Sequence, residues 1–389
     1  MDTAEAARLL AEWDEMGWHR TGTAGDAASL AWLDTAVHGL GLHAAHQPVP
    51  LQCRTDVQAY VESEGVRLDG MSLFDAPGTA GSVDGWLTRL DETSGADARI
   101  GLVTIRPDAA TMAGAPFAAL RRGVACDALV ACCLSGDGEL APINALEFLQ
   151  PYGPPTLQLA RQHAPVLEAW ERKRQRVRVV IDVEHRPAVS ANLIVHNGAS
   201  AADGPALLVM TPRTSWHEST SERGGGLLAW LQVLADLPSI GMGTPRPRVQ
   251  TVLLATTGHE IGHLGVRTWL GRLAAAERPA LALHLGANLG ALPDTLTLRG
   301  DRPTDVESML RALVEAGYPP ESIRVAPIES CVGEARDLVA AGIATVSLVG
   351  ENGLFHSRGD RWPHAVQLAR AVSVARAVRT WVRDRNRNR

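Results

Sequence analysis

His259, Glu260 and His263 spell H-E-I-G-H inside the stretch TVLLATTGHEIGHLG, Thr251 to Gly265. Two imidazoles four residues apart on a helix can share one metal ion, and the Glu between them can activate water, so the spacing fits the H-E-x-x-H pattern of hydrolytic zinc chemistry. That chemistry needs a continuous helix, because only the helical i, i+4 spacing aims both rings at one point. The residues in front of the motif argue against one. Val249–Thr256 has strand character and runs up to Thr257-Gly258, so the motif starts where a strand gives way to a turn. His259 is therefore expected in a strand-to-helix turn, and His263 on the face of the following helix, without chemistry.

The elements around the motif describe an α/β fold: a mostly parallel central sheet sandwiched by helices, carrying a small α+β insert. Residues 4–17 and 25–40 have apolar positions at helical spacing, split by HRTGTAGD, where Asp26 could cap the second helix. VRVVIDVEH, SANLIVHNG, ALLVMTP, VQTVLLATT, PALALHLGANLG and ATVSLVG read as strands, several nearly all apolar, as strands covered on both faces are. Helices are expected at Gly226–Leu237, Val266–Ala276, Thr304–Ala316, Ala335–Ala341 and His364–Val382. Alternation of this kind builds a sheet between helices, with chemistry at the strands' C-terminal ends. From Val57 to Trp170 the texture changes to short strands and Pro/Gly turns. This suggests a discontinuous main domain, 1–56 and 171–389, interrupted by an insert, 57–170.

Bulk composition narrows the partners. The chain has 389 residues, 46% hydrophobic, with a formal net charge of −6 and a pI of about 6.1, which gives no electrostatic case for nucleic acid. Lys173 is the single lysine, and the tail RDRNRNR reads as a solvated terminus. Five cysteines without a C-x-x-C pair fit reduced thiols. The opening, MDTAEAARLLAEWDEMGWHR, lacks the basic and apolar regions of a secretory signal, and no window has the length of a membrane span. A cytoplasmic protein acting on a small molecule or short peptide, with no nucleic acid and no membrane, is the expectation.

Several segments taken in order resemble the co-catalytic zinc aminopeptidases and the glutaminyl cyclases related to them. HRTGTAGDAASLAWLDTAVHGLGL resembles that family's opening R-x-x-G-T-x-G and helix, and SANLIVHNG its s-x-N-v-i-a strand. TSERGGGLLAWLQVL resembles its metal loop and helix, TGHEIGHLG its g-E-E-x-G-l-x-G, and AAGIATVSLVGENGLFHSRGDRWPHAV its final ligand segment. The insert resembles the protease-associated unit that some members carry. The resemblance implies two zinc sites, of which this chain keeps a possible set for one. The bridging carboxylate falls on Glu222, the ligand Glu on Glu260 and the last ligand His on His356. The other site loses both private ligands: Arg213 stands near the His, and Ala287 replaces the Asp. The general-base Glu becomes His259.

The resemblance thus implies an amidohydrolase using at most one Zn2+ or other divalent metal, held by Glu222, Glu260 and His356, with His259 moving protons near neutral pH. A rival reading starts from Arg213. A guanidinium where a metal sat supplies a fixed positive charge and could pair with Glu222 or a substrate carboxylate, leaving no need for metal. The reaction would then be a cyclisation, elimination or isomerisation. A third reading is a degenerate binding protein without catalysis. His217, Glu218, His284 and Glu334 are further candidates, Glu334 by its match to an Asp at the family's active-site edge. Trp216 and Trp362 could line a pocket, whereas Trp230 reads as core. Each residue also has a plain reading: Glu222 and Arg223 as surface charges, Glu260 as a helix cap, His356 as a loop histidine.

Overall fold

A computed structural model describes residues 1–90, 99–110, 115–197, 206–239 and 250–387. Gly198 and Val249, at the ends of two expected strands, and the last two residues of the basic tail lie outside the described residues. Two helices open the chain, α1 (Thr3–Glu15) and α2 (Ala24–Gly39), followed by the 20-residue strand β1 (Ala44–Ser63). Then come β2 (Val66–Asp69), β3 (Met71–Ser72), β4 (Val83–Arg89), β5 (Ile100–Ile105), α3 (Pro107–Ala110), α4 (Pro116–Gly123), β6 (Ala128–Cys133), β7 (Thr156–Ala160) and α5 (Ala164–Arg172). There follow β8 (Arg176–His196), β9 (Leu207–Pro212), α6 (Thr220–Asp236), β10 (Thr251–Thr256), α7 (Leu264–Gly271) and β11 (Leu281–Leu285). Last are β12 (Leu296–Gly300), α8 (Pro303–Glu315), β13 (Ile323–Ala326), α9 (Ala335–Ala340), β14 (Thr345–Gly350) and α10 (Leu368–Arg387).

Four parallel strands, β10-β9-β11-β14, form the middle of the sheet, flanked by antiparallel β8 on one side and β12 on the other. Their alternate residues feed opposite layers. Val209, Leu253, Leu283 and Leu348 pack with α1, α2, α6, α8 and α10, while Leu208, Met210, Leu254 and Ala282 pack with α7 and α9. This two-sided burial is why those strands read as unbroken apolar runs.

The two segments VRVVIDVEH and SANLIVHNG are one strand. β8 pairs antiparallel with β1 from Ala44↔Val195 to Glu62↔Arg178, with one register shift between Asp56 and Gln58. The ladder runs nearly the whole length of both strands, and β4 also pairs with β8, so that the sheet continues from β8 through β4. Beyond β8 the strands β4, β5, β6 and β7 run parallel, and β3 lies antiparallel to β7. Among the described residues no helix is long and apolar enough to cross a membrane.

Candidate active site

The C-terminal ends of β9, β10 and β14 lead into the segments carrying Arg213–Ser215, His259–Glu260 and His356. Opposite them α6 begins earlier than its apolar spacing suggests, at Thr220, so Glu222 and Arg223 lie in its first turn. Three consecutive glycines let this turn sit against the strand ends. A Cβ at Gly225 would stand 1.6 Å from Leu289 O, and one at Gly226 2.6 Å from Thr211 Oγ1. The helix start is fixed by Asp360, whose carboxylate accepts from Ser221 N at 2.7 Å and Glu222 N at 3.0 Å, the arrangement that free N–H groups at a helix N-terminus favour.

Glu222, wholly buried, accepts from Arg223 Nη2 at 2.6 Å and Ser215 Oγ at 2.8 Å. His356 Nε2 stands 3.5 Å from Glu222 Oε1, and its Nδ1–H donates to Pro142 O, in the segment between β6 and β7, at 2.5 Å. Burial alone would raise the Glu222 carboxyl, but Arg223, His356 and Ser215 outweigh it and bring it down to about 2. Arg223 is itself buried, with Nε donating to Thr214 O at 2.9 Å and Nη1 without a partner.

Glu260 is held differently. Its oxygens accept from Thr21 N at 2.6 Å and Thr214 Oγ1 at 2.9 Å, and burial raises its carboxyl against those bonds. The expected convergence of Glu222, Glu260 and His356 on one ion is corrected by these contacts. Glu222 and His356 meet, but both oxygens of each carboxylate are already bonded, and among the described residues no three His, Cys, Asp or Glu side chains are grouped to hold a metal. The guanidinium of Arg223 bonds the carboxylate that would have to bridge or bind a cation. Like charges repel, so this donor set does not fit a zinc ion while Arg223 stays in place.

Arg213 requires a second correction. It points away from Glu222. Its Nη1 donates to Asp26 Oδ1 at 2.6 Å, Asp26 O at 2.8 Å and Ser29 Oγ at 2.8 Å, and its Nη2 to Ala191 O at 2.7 Å. A fully buried cation needs a fixed counter-charge, and α2 supplies it through Asp26. Asp26 lies inside the first turn of α2 rather than at its cap, which is Thr23.

HEIGH is not a helix. β10 stops at Thr256, Gly258 turns at φ +72°, and α7 begins at Leu264, after His263 at φ +57°. His263 Nδ1 bonds Asp337 Oδ2 at 2.7 Å, while its ring stacks on His259 with centroids 5.1 Å apart. His259 Nδ1 lies 3.5 Å from Glu334 Oε1, and neither atom has a hydrogen-bond partner. Burial, then the charge of Arg223, holds His259 well below its ordinary value, so it is neutral. Burial raises Glu334 to about 8 despite its bond from Thr256, so it is protonated near pH 7.

The remaining candidates divide. His284 bonds Ser347 Oγ through Nδ1 and leaves Nε2 unpartnered; a Cβ at Gly333 would stand 3.5 Å from His259 Cε1 and 3.9 Å from His284 Cε1, so both rings flank that glycine. Both nitrogens of buried His217 lack partners. Glu218 instead pairs with Arg361 at 3.3 Å, and Trp216 donates to Asn144 Oδ1 at 2.9 Å while packing edge-on against Phe74. Trp362 packs against the core beside α1, its backbone N–H donating to Asp14 Oδ1, and Trp230 is core. Arg223, His356, His259, His284, Glu334 and His217 each carry a buried polar atom without a hydrogen-bond partner, which ordered water or a polar ligand would satisfy. Arg223 is the residue that sequence reasoning missed. The signal was an Arg beside the bridging carboxylate, directly before a glycine run.

No protein-family model matches the sequence, and no curated protein does. Solved structures do match. An aminopeptidase from Aneurinibacillus sp. strain AM-1 is 13% identical with a TM-score of 0.73, covering 98% of this chain and 93% of that one. The chain has the zinc-aminopeptidase fold. A Peptidase M28 precursor from Shewanella amazonensis is 17% identical with a TM-score of 0.75, covering 98% and 94%. Glutaminyl cyclase from Porphyromonas gingivalis is 9% identical with a TM-score of 0.52, covering 99% and 98%. In this chain Glu222 and His356 stand together, with Arg223 against Glu222.

Proposed function

We propose that this protein is a small-molecule enzyme on the zinc-aminopeptidase fold that works without a metal ion. The observation that carries the reading is the buried Arg223–Glu222 pair at 2.6 Å, with Arg223 Nη1 left open among unpartnered His and Glu atoms. A guanidinium there gives a carbonyl or carboxylate oxygen a fixed positive charge and a donor, which is what a Lewis-acidic ion would offer. Neutral His259 accepts a proton and protonated Glu334 supplies one, and the two are 3.5 Å apart. A charge clamp beside an acid–base pair suits proton transfer next to a carbonyl, as in a cyclisation or elimination of a small amino-acyl or peptide-like substrate.

The test uses untagged protein treated with chelator and incubated with N-terminal glutaminyl peptides and aminoacyl amides, followed by mass spectrometry. Turnover should persist without metal and fall by about a hundredfold or more in His259→Gln and in Arg223→Gln. Amide hydrolysis appearing only after zinc is added would overturn this reading in favour of the one-zinc amidohydrolase.

A second reading has its own observation. Glu222, Arg223, Glu260 and His356 are each at most 1% exposed, and the insert covers them, with Pro142 O on His356 and Ala145 N donating to Glu260 O at 2.8 Å. A pocket closed this way suits a binding protein that holds a small polar ligand without converting it. Saturable binding of a panel compound with no turnover would favour it.

A further inference from the structure

Away from that pocket, the seam between insert and main domain holds a cavity of about 390 Å3, within the range of small-ligand sites. The insert contributes Arg121, Arg122, Glu147 and Tyr152 with an apolar floor at Phe117 and Ile143; the main domain contributes Arg267, Arg336 and Asp337. Most of these charges are satisfied. Arg121 pairs with Asp75 at 2.8 Å, Arg122 pairs with Glu147, and Arg267 Nε donates to Asp337 Oδ1 at 2.9 Å. His263 takes the other oxygen of Asp337.

Arg336 is the exception. It is half-buried, its Nε makes only a long bond to Gly333 O at 3.4 Å, and among the described residues no carboxylate lies within ion-pair distance of it. Four guanidinium groups and three carboxylates line the cavity, leaving one uncompensated positive charge in a partly desolvated place. A cation so placed gains most from an anion that matches its fork of donors.

We propose that this seam cavity binds a small organic oxyanion, a carboxylate or phosphate monoester, with its charged oxygens on Arg336 and its apolar body against Phe117 and Ile143. The proposal does not depend on the metal-free reading of the Arg223 pocket.

The experiment is calorimetric titration of the full chain with benzoate, phenyl phosphate and inorganic phosphate at constant ionic strength. Saturable binding of benzoate, of phenyl phosphate or of both is expected, and identifies the carboxylate or phosphate class. Arg336→Gln should weaken it about tenfold or more, Arg336→Lys less, because lysine keeps the charge but loses the fork. Phe117→Ala should remove the advantage of phenyl phosphate over inorganic phosphate. The exposed Arg324→Gln, on a surface pair with Glu351, should change nothing. No saturable binding of any of the three, or affinities unaltered by Arg336→Gln, would overturn the proposal.

Discussion

Arg223 Nη2 donates to Glu222 Oε1 at 2.6 Å, and both side chains are closed off from solvent. Removing one partner strands the other charge. Arg223→Met should therefore cost about 3–5 kcal/mol in urea unfolding, whereas Arg223→Met combined with Glu222→Gln should recover much of that loss. Equal losses in the single and double variants would show that the pair is not coupled.

Arg213 is expected to matter for folding and not for turnover. Its partners are Asp26, Ser29, Ser190 and Ala191, none of them among the unpartnered residues around Arg223. Arg213→Met and Asp26→Asn should each destabilise by about 3–5 kcal/mol while leaving activity per folded molecule unchanged. A selective loss of turnover at full stability would return Arg213 to the site.

Much of the site was legible because it rides on local patterns. The Val- and Leu-rich run into Thr257-Gly258 announces a strand followed by a turn, and this placed His259 and Glu260 at a strand end. The order of motifs placed Glu222 and His356 near each other. Arg223 and Arg213 were read the wrong way round for a physical reason. Which buried arginine meets which carboxylate depends on partners far apart in sequence, Asp26 for Arg213 and the fold of α6 for Arg223. The β1–β8 ladder was missed likewise, since polar and Pro-containing stretches such as Glu184–Pro187 break the alternation that marks a strand, while pairing across the whole length supplies the bonds.

Glu334 should leave a signature in the pH dependence of stability. Burial holds its carboxyl at about 8, against 4.5 for the free group, so between those values the folded chain keeps a proton that the unfolded chain has released. Its contribution is complete below about pH 4.5 and is lost as pH rises toward 8. Asp360, raised to about 7 by burial, acts in the same direction and is common to both proteins compared. Glu334→Gln should gain on the wild type between pH 5 and pH 8, by up to about 1.4 kcal/mol per pH unit. Urea titrations at the two pH values measure this, and a constant difference between the proteins would contradict it.

The glycine run has a steric role that can be checked on its own. Gly225→Ala would drive a Cβ to 1.6 Å from Leu289 O, a backbone atom that cannot swing aside. The variant should lose about 3 kcal/mol or more, or fail to fold. Gly39→Ala, with nothing within 4 Å of the added Cβ, should be close to neutral or slightly stabilising. Similar stabilities for the two variants would mean that α6 does not dock against the 286–290 loop as described.

Arg223 stands where a cation would have to bind. The most direct test is elemental analysis of untagged protein after equilibration with excess zinc and gel filtration, beside Arg223→Ala prepared the same way. Far less than one zinc per wild-type chain is expected, on the order of a tenth or below, because the guanidinium opposes a second positive charge on Glu222. One tightly held zinc per wild-type chain, lost together with zinc-dependent amide hydrolysis on chelation, would contradict it.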